Sequence, residues 1–168
     1  MTYARRAPRS RRGEAGAPRQ RPADPRALSR GRAGVWVPGG ELPPLQDFIG
    51  TQPSESVLGM RIINECRLRR QTYPELLRIF HIPNGGSRGP AEAGRFKAEG
   101  VRPFVPDYML PVARGGHHGM FLELKKHNGA LSPGQRLELE QLSAAGYHAV
   151  CAWGSGAAMD ALLAYLDA

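Results

Sequence analysis

The order of elements in this chain predicts an α/β fold, a small mixed β-sheet flanked by helices. Three observations carry that reading. Four apolar runs of strand length recur between residues 76 and 153, two helical segments near the end open on recognisable start signals, and glycines stand where helices should stop.

Taken in order, Pro53-Ser54-Glu55-Ser56 opens the first helix, with Ser54 as its cap and Val57, Leu58, Ile62, Cys66 and Leu68 recurring at helical spacing. Arg61, Arg67, Arg69 and Arg70 make its other side basic, and Tyr73-Pro74 ends it. Leu76 to Ile82 reads as a buried strand, closed by Pro83-Asn84-Gly85-Gly86. Residues 84–90 form a glycine-rich loop, and Ala91 to Glu99 a short helix stopped by Gly100. Gly85-Gly86-x-x-Gly89 lacks the lysine and the strand-to-helix setting of a phosphate-cradling loop, which excludes that function. Tyr108 to Val112 and Gly119 to Leu124 are two strands across the turn Arg114-Gly115-Gly116-His117. Ser132-Pro133 starts a helix that carries Leu137, Leu139, Leu142 and Ala145 and stops at Gly146. Tyr147 to Trp153 makes the last strand, and Ser155 opens the last helix through Met159, Leu162, Leu163 and Leu166.

Charge divides the chain in two. Residues 1–40 hold ten arginines, no lysine, and only Glu14 and Asp24 as acids, a balance of +8. Residues 41–168 carry 13 basic and 13 acidic side chains, so the net charge of +8 belongs wholly to the N-terminal stretch. Rich in Arg, Pro, Gly and Ala, residues 1–47 are expected to be a disordered tail and residues 48–168 the folded domain. An arginine-rich arm of this kind gains affinity for nucleic acid by releasing counterions; its plain alternative is a solvated extension. No apolar segment follows the basic stretch and no run reaches spanning length, so a soluble protein of the cytoplasm, associated with the nucleoid, is expected. Cys66 and Cys151 lie within regular segments without C-x-x-C spacing and read as reduced core residues.

The chemistry is concentrated in the hairpin. Centred on Gly115, it would pair residues whose numbers add to 230, which sets Asp107 opposite Glu123. Opposed residues share a face, and Lys125 returns to that face two positions on. Two carboxylates so close repel unless a cation sits between them. Oxygen ligands alone select a hard ion, Mg²⁺ or Mn²⁺. Pro111 cannot donate to a ladder, so a slip of one residue in the register is the risk of this reading. His81, His117 and His118 lack the spacing of a zinc site.

The pattern Asp107, then Glu123-x-Lys125, resembles the PD-(D/E)-x-K nuclease signature. Its surroundings narrow the resemblance: His81-Ile82-Pro83-Asn84-Gly85-Gly86, Lys97-Ala98-Glu99-Gly100-Val101-Arg102-Pro103, Val105-Pro106-Asp107, His118 to Lys125, and Leu131-Ser132-Pro133-x-Gln135. This succession is similar to the VRR-NUC (virus-type replication-repair nuclease) domain in its stand-alone phage and prophage form, over about residues 54–167. The likeness departs at Gly59, where phage relatives often carry glutamine, and in the arginine tail. It implies a restriction-endonuclease-like core and a Mg²⁺- or Mn²⁺-dependent endonuclease acting on branched or junction DNA in phage or prophage replication or repair. By the same resemblance, Asp107, Glu123 and Glu55 ligate metal, Lys125 is the catalytic lysine, and Gln135 joins the site. His81, Asn84, Arg88, Arg95, Lys97 and Arg102, around the glycine-rich loop, are expected to contact DNA. Symmetric cutting of a two-fold junction calls for two subunits, so a homodimer is the assembly expected for that activity. The competing reading is a non-catalytic module that holds branched nucleic acid.

Overall fold

The run His148-Ala149-Val150-Cys151-Ala152-Trp153 shows no polar alternation because it is covered on both faces, and all six residues are buried. Around it the computed structural model, which describes residues 34–43, 51–83 and 90–168, builds one five-stranded sheet. The strands are β1 (Val35–Trp36), β2 (Phe80–His81), β3 (Tyr108–Leu110), β4 (Met120–Lys125) and β5 (His148–Trp153), in the spatial order β1-β5-β4-β3-β2. β4 and β5 are parallel, and the other three pairings are antiparallel. Among the described residues four α-helices accompany them: α1 (Glu55–Leu68), α2 (Pro90–Ala98), α3 (Pro133–Ala144) and α4 (Ser155–Leu166). The expected α/β architecture, a mixed sheet flanked by helices, is what the chain adopts.

Strand alternation sorts the core into two layers. Leu122, Leu124, Val150 and Ala152 face α1 and α4, packing with Leu58, Ile62, Met159, Leu162 and Tyr165. Phe121, Ala149, Cys151 and Trp153 face α3, packing with Trp36, Leu139 and Leu142. Each large apolar side chain so buried stabilises the fold by roughly 1.5–3 kcal/mol. Helix starts follow the local chemistry. Ser54 accepts the Val57 N–H at 3.3 Å, and Ser132 accepts the Gln135 N–H at 3.3 Å ahead of Pro133. Gly100 (φ 90°) and Gly146 (φ 92°) take the left-handed conformation that ends a helix. Among the described residues no helix is long and apolar enough to cross a membrane.

The hairpin register is the expected one: Tyr108 pairs with Leu122, Met109 with Phe121 and Leu110 with Met120, each adding to 230. The slip anticipated at Pro111 is confined to the turn side. There Val112 N–H bonds Leu110 O at 2.9 Å and Arg114 bridges His117, one residue out of step, beyond the strands themselves.

Two expectations need correction. Leu76 to Ile82 is not one buried strand: Pro74–Arg78 is a 3₁₀ helix, and only Phe80–His81 pairs, as an exposed edge. Leu76 is fully buried and Ile79 packs on the same core, a spacing of three that suits a 3₁₀ turn. The tail also ends earlier than residue 47. Val35 and Trp36 pair with Ala152 and Cys151, and Trp36 is 1% exposed, because its indole closes the layer under α3 and donates Nε1–H to Gly40 O at 3.0 Å. Residues 1–33, with the ten arginines, lie outside the described residues.

Candidate active site

Alternation along β4 puts Glu123 and Lys125 on the α3 face, between the apolar Leu122 and Leu124 that face the other way. Because β4 is central in the sheet, both charged residues are buried, Glu123 at 2% exposure and Lys125 at 7%. Lys125 Nζ donates to Glu123 Oε1 at 2.7 Å. Gln135 Nε2 donates to the same oxygen across a short contact from α3. The other end of that amide is committed to the helix cap: Gln135 Oε1 accepts the Ser132 N–H at 3.1 Å, completing a reciprocal capping box. One side chain thus fixes the start of α3 and orients Glu123.

Asp107 lies one residue before β3, its carbonyl extending the ladder by accepting the Ile82 N–H at 2.7 Å. Its carboxylate reaches β4, where Oδ2 accepts the Leu124 N–H at 2.9 Å. Burial raises the Asp107 acid above the usual carboxylate range, opposed by that N–H and by Lys125, with Glu55 adding to the rise. Burial and then the Asp107 charge push Glu123 up to about 7, against the pull of Lys125. Burial works against the charge on Lys125, yet its bond to Glu123 and the fields of Glu123, Glu55 and Asp107 carry its value above the ordinary one. The three charges the hairpin was expected to bring together are therefore electrostatically one group.

Glu55 approaches from another side. As the first residue of α1 it is exposed, and its Oε1 accepts the Lys126 N–H at 3.4 Å. Glu55 is the expected third carboxylate; its charge acts on Asp107 and Glu123, while among the described residues no three His, Cys, Asp or Glu side chains are gathered closely enough to hold a metal. A cleft of about 590 Å³ runs along α1 from Glu55 past Gly59, Ile63 and Asn64 to Arg67, bounded by His81, Asp107 and Tyr108. It touches the charged group only through Asp107 and Glu55, since Glu123 and Lys125 face α3, the helix that carries Gln135. Gly59 leaves the room that the Tyr108 hydroxyl fills, a pairing the sequence does not signal.

The expected DNA contacts separate. His81 borders the cleft, opposite Tyr108 in the β2–β3 ladder, with ring centroids 5.3 Å apart. Arg95 pairs with Glu99 at 2.9 Å on its own helix, and Arg102 pairs with Glu138 at 2.9 Å on α3, while Lys97 is exposed. Asn84 and Arg88 lie outside the described residues. Sequence reasoning passed over Tyr108, Asn64 and Arg67 as cleft residues. The 59, 63, 67 spacing along α1 was the available signal.

No profile of a known protein family and no protein of curated function matches the chain. A solved structure described as a VRR_NUC domain protein superposes with a TM-score of 0.60 at 30% sequence identity, covering 71% of this chain and 92% of that one. At that identity, and with nearly the whole of the relative's chain covered, the chain belongs to the VRR-NUC domain family.

Proposed function

We propose that this protein is a metal-dependent endonuclease that hydrolyses phosphodiester bonds in DNA, with a preference for branched or junction substrates. The observation that carries it is the juxtaposition of Asp107, seated on the Leu124 N–H, with its neighbour Glu123, which accepts hydrogen bonds from Lys125 and Gln135. The donor set suits a hard cation. Both carboxylates are raised by burial, Glu123 also by the Asp107 charge, and positive charge between them would relieve this; an ion of the Mg²⁺ type needs only one or two carboxylates because it keeps its waters. Asp107 and Glu123 would hold it, and Glu55 would act through its charge. When bound, such an ion polarises a phosphoryl oxygen and lowers the pKa of a bound water. Lys125 holds a fixed positive charge in a site largely closed to water, where it opposes the negative charge that develops on the phosphoryl group. Gln135 keeps Glu123 in one orientation.

The test is cleavage of labelled four-way junction, flap and linear DNA in Mg²⁺ or Mn²⁺ by the wild type, Asp107→Ala and Lys125→Ala. Cutting that both substitutions reduce at least ~100-fold supports the assignment. Cutting unchanged in both variants refutes the site, and metal-independent binding without product on any substrate turns the reading to a binding module.

A further inference from the structure

Phe104 is the one non-glycine residue with positive φ (66°) among the described residues. A bulky side chain rarely occupies the left-handed region, and such strain persists only where the surroundings impose it. Here they do so at two points. One side of the ring, Cδ2, Cε2 and Cζ, lies on Gly134 in the first turn of α3, where a β-carbon would come within 2.7–2.8 Å of all three. Gly134 has no positive φ that would demand glycine, so the missing side chain serves the ring. Two residues before Phe104, Arg102 pairs with Glu138, one turn further along the same helix. Pro103 and Pro106 stiffen the segment between.

Such fixing is the usual mark of a core aromatic, yet Phe104 is 50% exposed. Its position supplies the reason. Asp107 follows three residues later, and Gly134 immediately precedes Gln135, the donor to Glu123. The ring is thus held against the first turn of α3, one residue from Gln135 and three from Asp107 in the chain. We propose that Phe104 is a stacking platform for an unpaired base beside the scissile phosphate, so that the substrate is DNA with an unstacked nucleotide at a branch rather than continuous duplex. The inference rests on the nuclease reading. Aromatic faces accept any base, which gives structure selectivity without sequence preference.

The experiment uses the full chain with Phe104→Gly and Phe104→Trp. Glycine accepts the backbone conformation, so the first variant should melt at or above the wild-type temperature. On flap DNA with an unpaired nucleotide its kcat/KM should fall about tenfold or more, with little change on a nicked, fully paired duplex, and Phe104→Trp should restore it. Independently of hydrolysis, 2-aminopurine placed at the branch should be quenched on binding in EDTA by the wild type and Phe104→Trp, and not by Phe104→Gly. Equal quenching and equal cleavage by wild type and Phe104→Gly would overturn the platform while leaving the nuclease intact. A large fall in melting temperature would make the ring a packing residue, and a smaller sedimenting species would make it a contact between copies; either overturns the proposal. If the wild type cuts nothing in Mg²⁺ or Mn²⁺, the nuclease reading fails, and the quenching alone decides whether the ring stacks.

Discussion

Replacing Glu123 with glutamine should make the protein more stable at pH 8 and leave it little changed at pH 4.5. Glu123 is 2% exposed, and burial, followed by the Asp107 charge, raises its acid from 4.5 to about 7 despite the 2.7 Å bond from Lys125. The native value stands above the unfolded one, so the contribution is fully present below about pH 4.5, where the carboxyl is protonated in both states. As pH rises toward 7 the unfolded chain ionises first, and native stability is lost at about 1.4 kcal/mol per unit, about 3 kcal/mol in all. So little of the side chain meets water that screening does not discount this figure. Glutamine keeps the shape and an oxygen for Lys125 but has no proton to lose. The stability difference between Glu123→Gln and wild type should therefore grow by about 3 kcal/mol between pH 4.5 and 8, roughly 6–12 °C in Tm for a chain of this length. Thermal unfolding in EDTA across that range measures it. Parallel pH profiles for the two proteins would refute the claim that folding opposes ionisation of Glu123. Adding Mg²⁺ should stabilise the wild type most at pH 8, where its carboxylates are charged, and should do far less for the variant.

Gln135 separates cap from site. Gln135→Ala should cost about 1 kcal/mol through the lost capping box and also reduce cleavage, whereas Gln135→Glu keeps a cap acceptor but sets a third carboxylate against Glu123. Circular dichroism melts beside kcat/KM should show the glutamate variant folded and slow in Mg²⁺; full activity would refute the contact. His148 is 1% exposed, and burial and then His117 lower its imidazole from 6.5 to about 3. Its native value lies below the unfolded one, so its contribution is present above pH 6.5 and is lost as pH falls toward 3. A His148→Phe variant should therefore lose less stability than wild type in that window by urea titration. Removing residues 1–33 takes away ten arginines and should reduce the slope of log affinity against log salt by several, up to about 9 if every arginine meets a phosphate, while cleavage persists. An unchanged slope would make the tail a bystander.

The legible parts of the fold were those set by local chemistry. Ser54 and Ser132-Pro133 announce their helices because a hydroxyl before a first turn has one good use, and Gly100 and Gly146 end theirs because few other residues take that φ. The trio was legible through arithmetic, since a turn centred on Gly115 leaves one register for β3 and β4. The misses share a cause. An apolar run such as Leu76 to Ile82 does not declare its period, and there the 3₁₀ turn won because only Leu76 and Ile79 reach the core. β1 is two residues long, too short for any periodicity, and follows arginine-rich sequence, so only its pairing with β5 reveals it. Glu55 lies 52 residues before Asp107, and only the fold brings its carboxylate to the Lys126 N–H at the end of β4. Phe104 and Gly134 stand 30 residues apart, and nothing local connects them.

The position of the site explains its electrostatics. A carboxylate and a lysine on an edge strand would be solvated and weakly coupled, each close to its ordinary behaviour. On β4, with β3 on one side and β5 on the other, the same residues are buried by the sheet itself. The alternation that sends Leu122 and Leu124 into the main core forces Glu123 and Lys125 under α3. Their desolvation is offset only in part by the hydrogen bonds from Lys125 and Gln135, which both fall on Oε1 of Glu123. Burial above all, and for Glu123 the Asp107 charge, makes ionisation of both acids unfavourable despite Lys125. A bound cation would complete that balance, and in so dry a setting its field on a phosphoryl group would be stronger than at a surface. The same strand position that disfavours ionisation in the metal-free fold would therefore favour holding the ion that the proposed reaction requires.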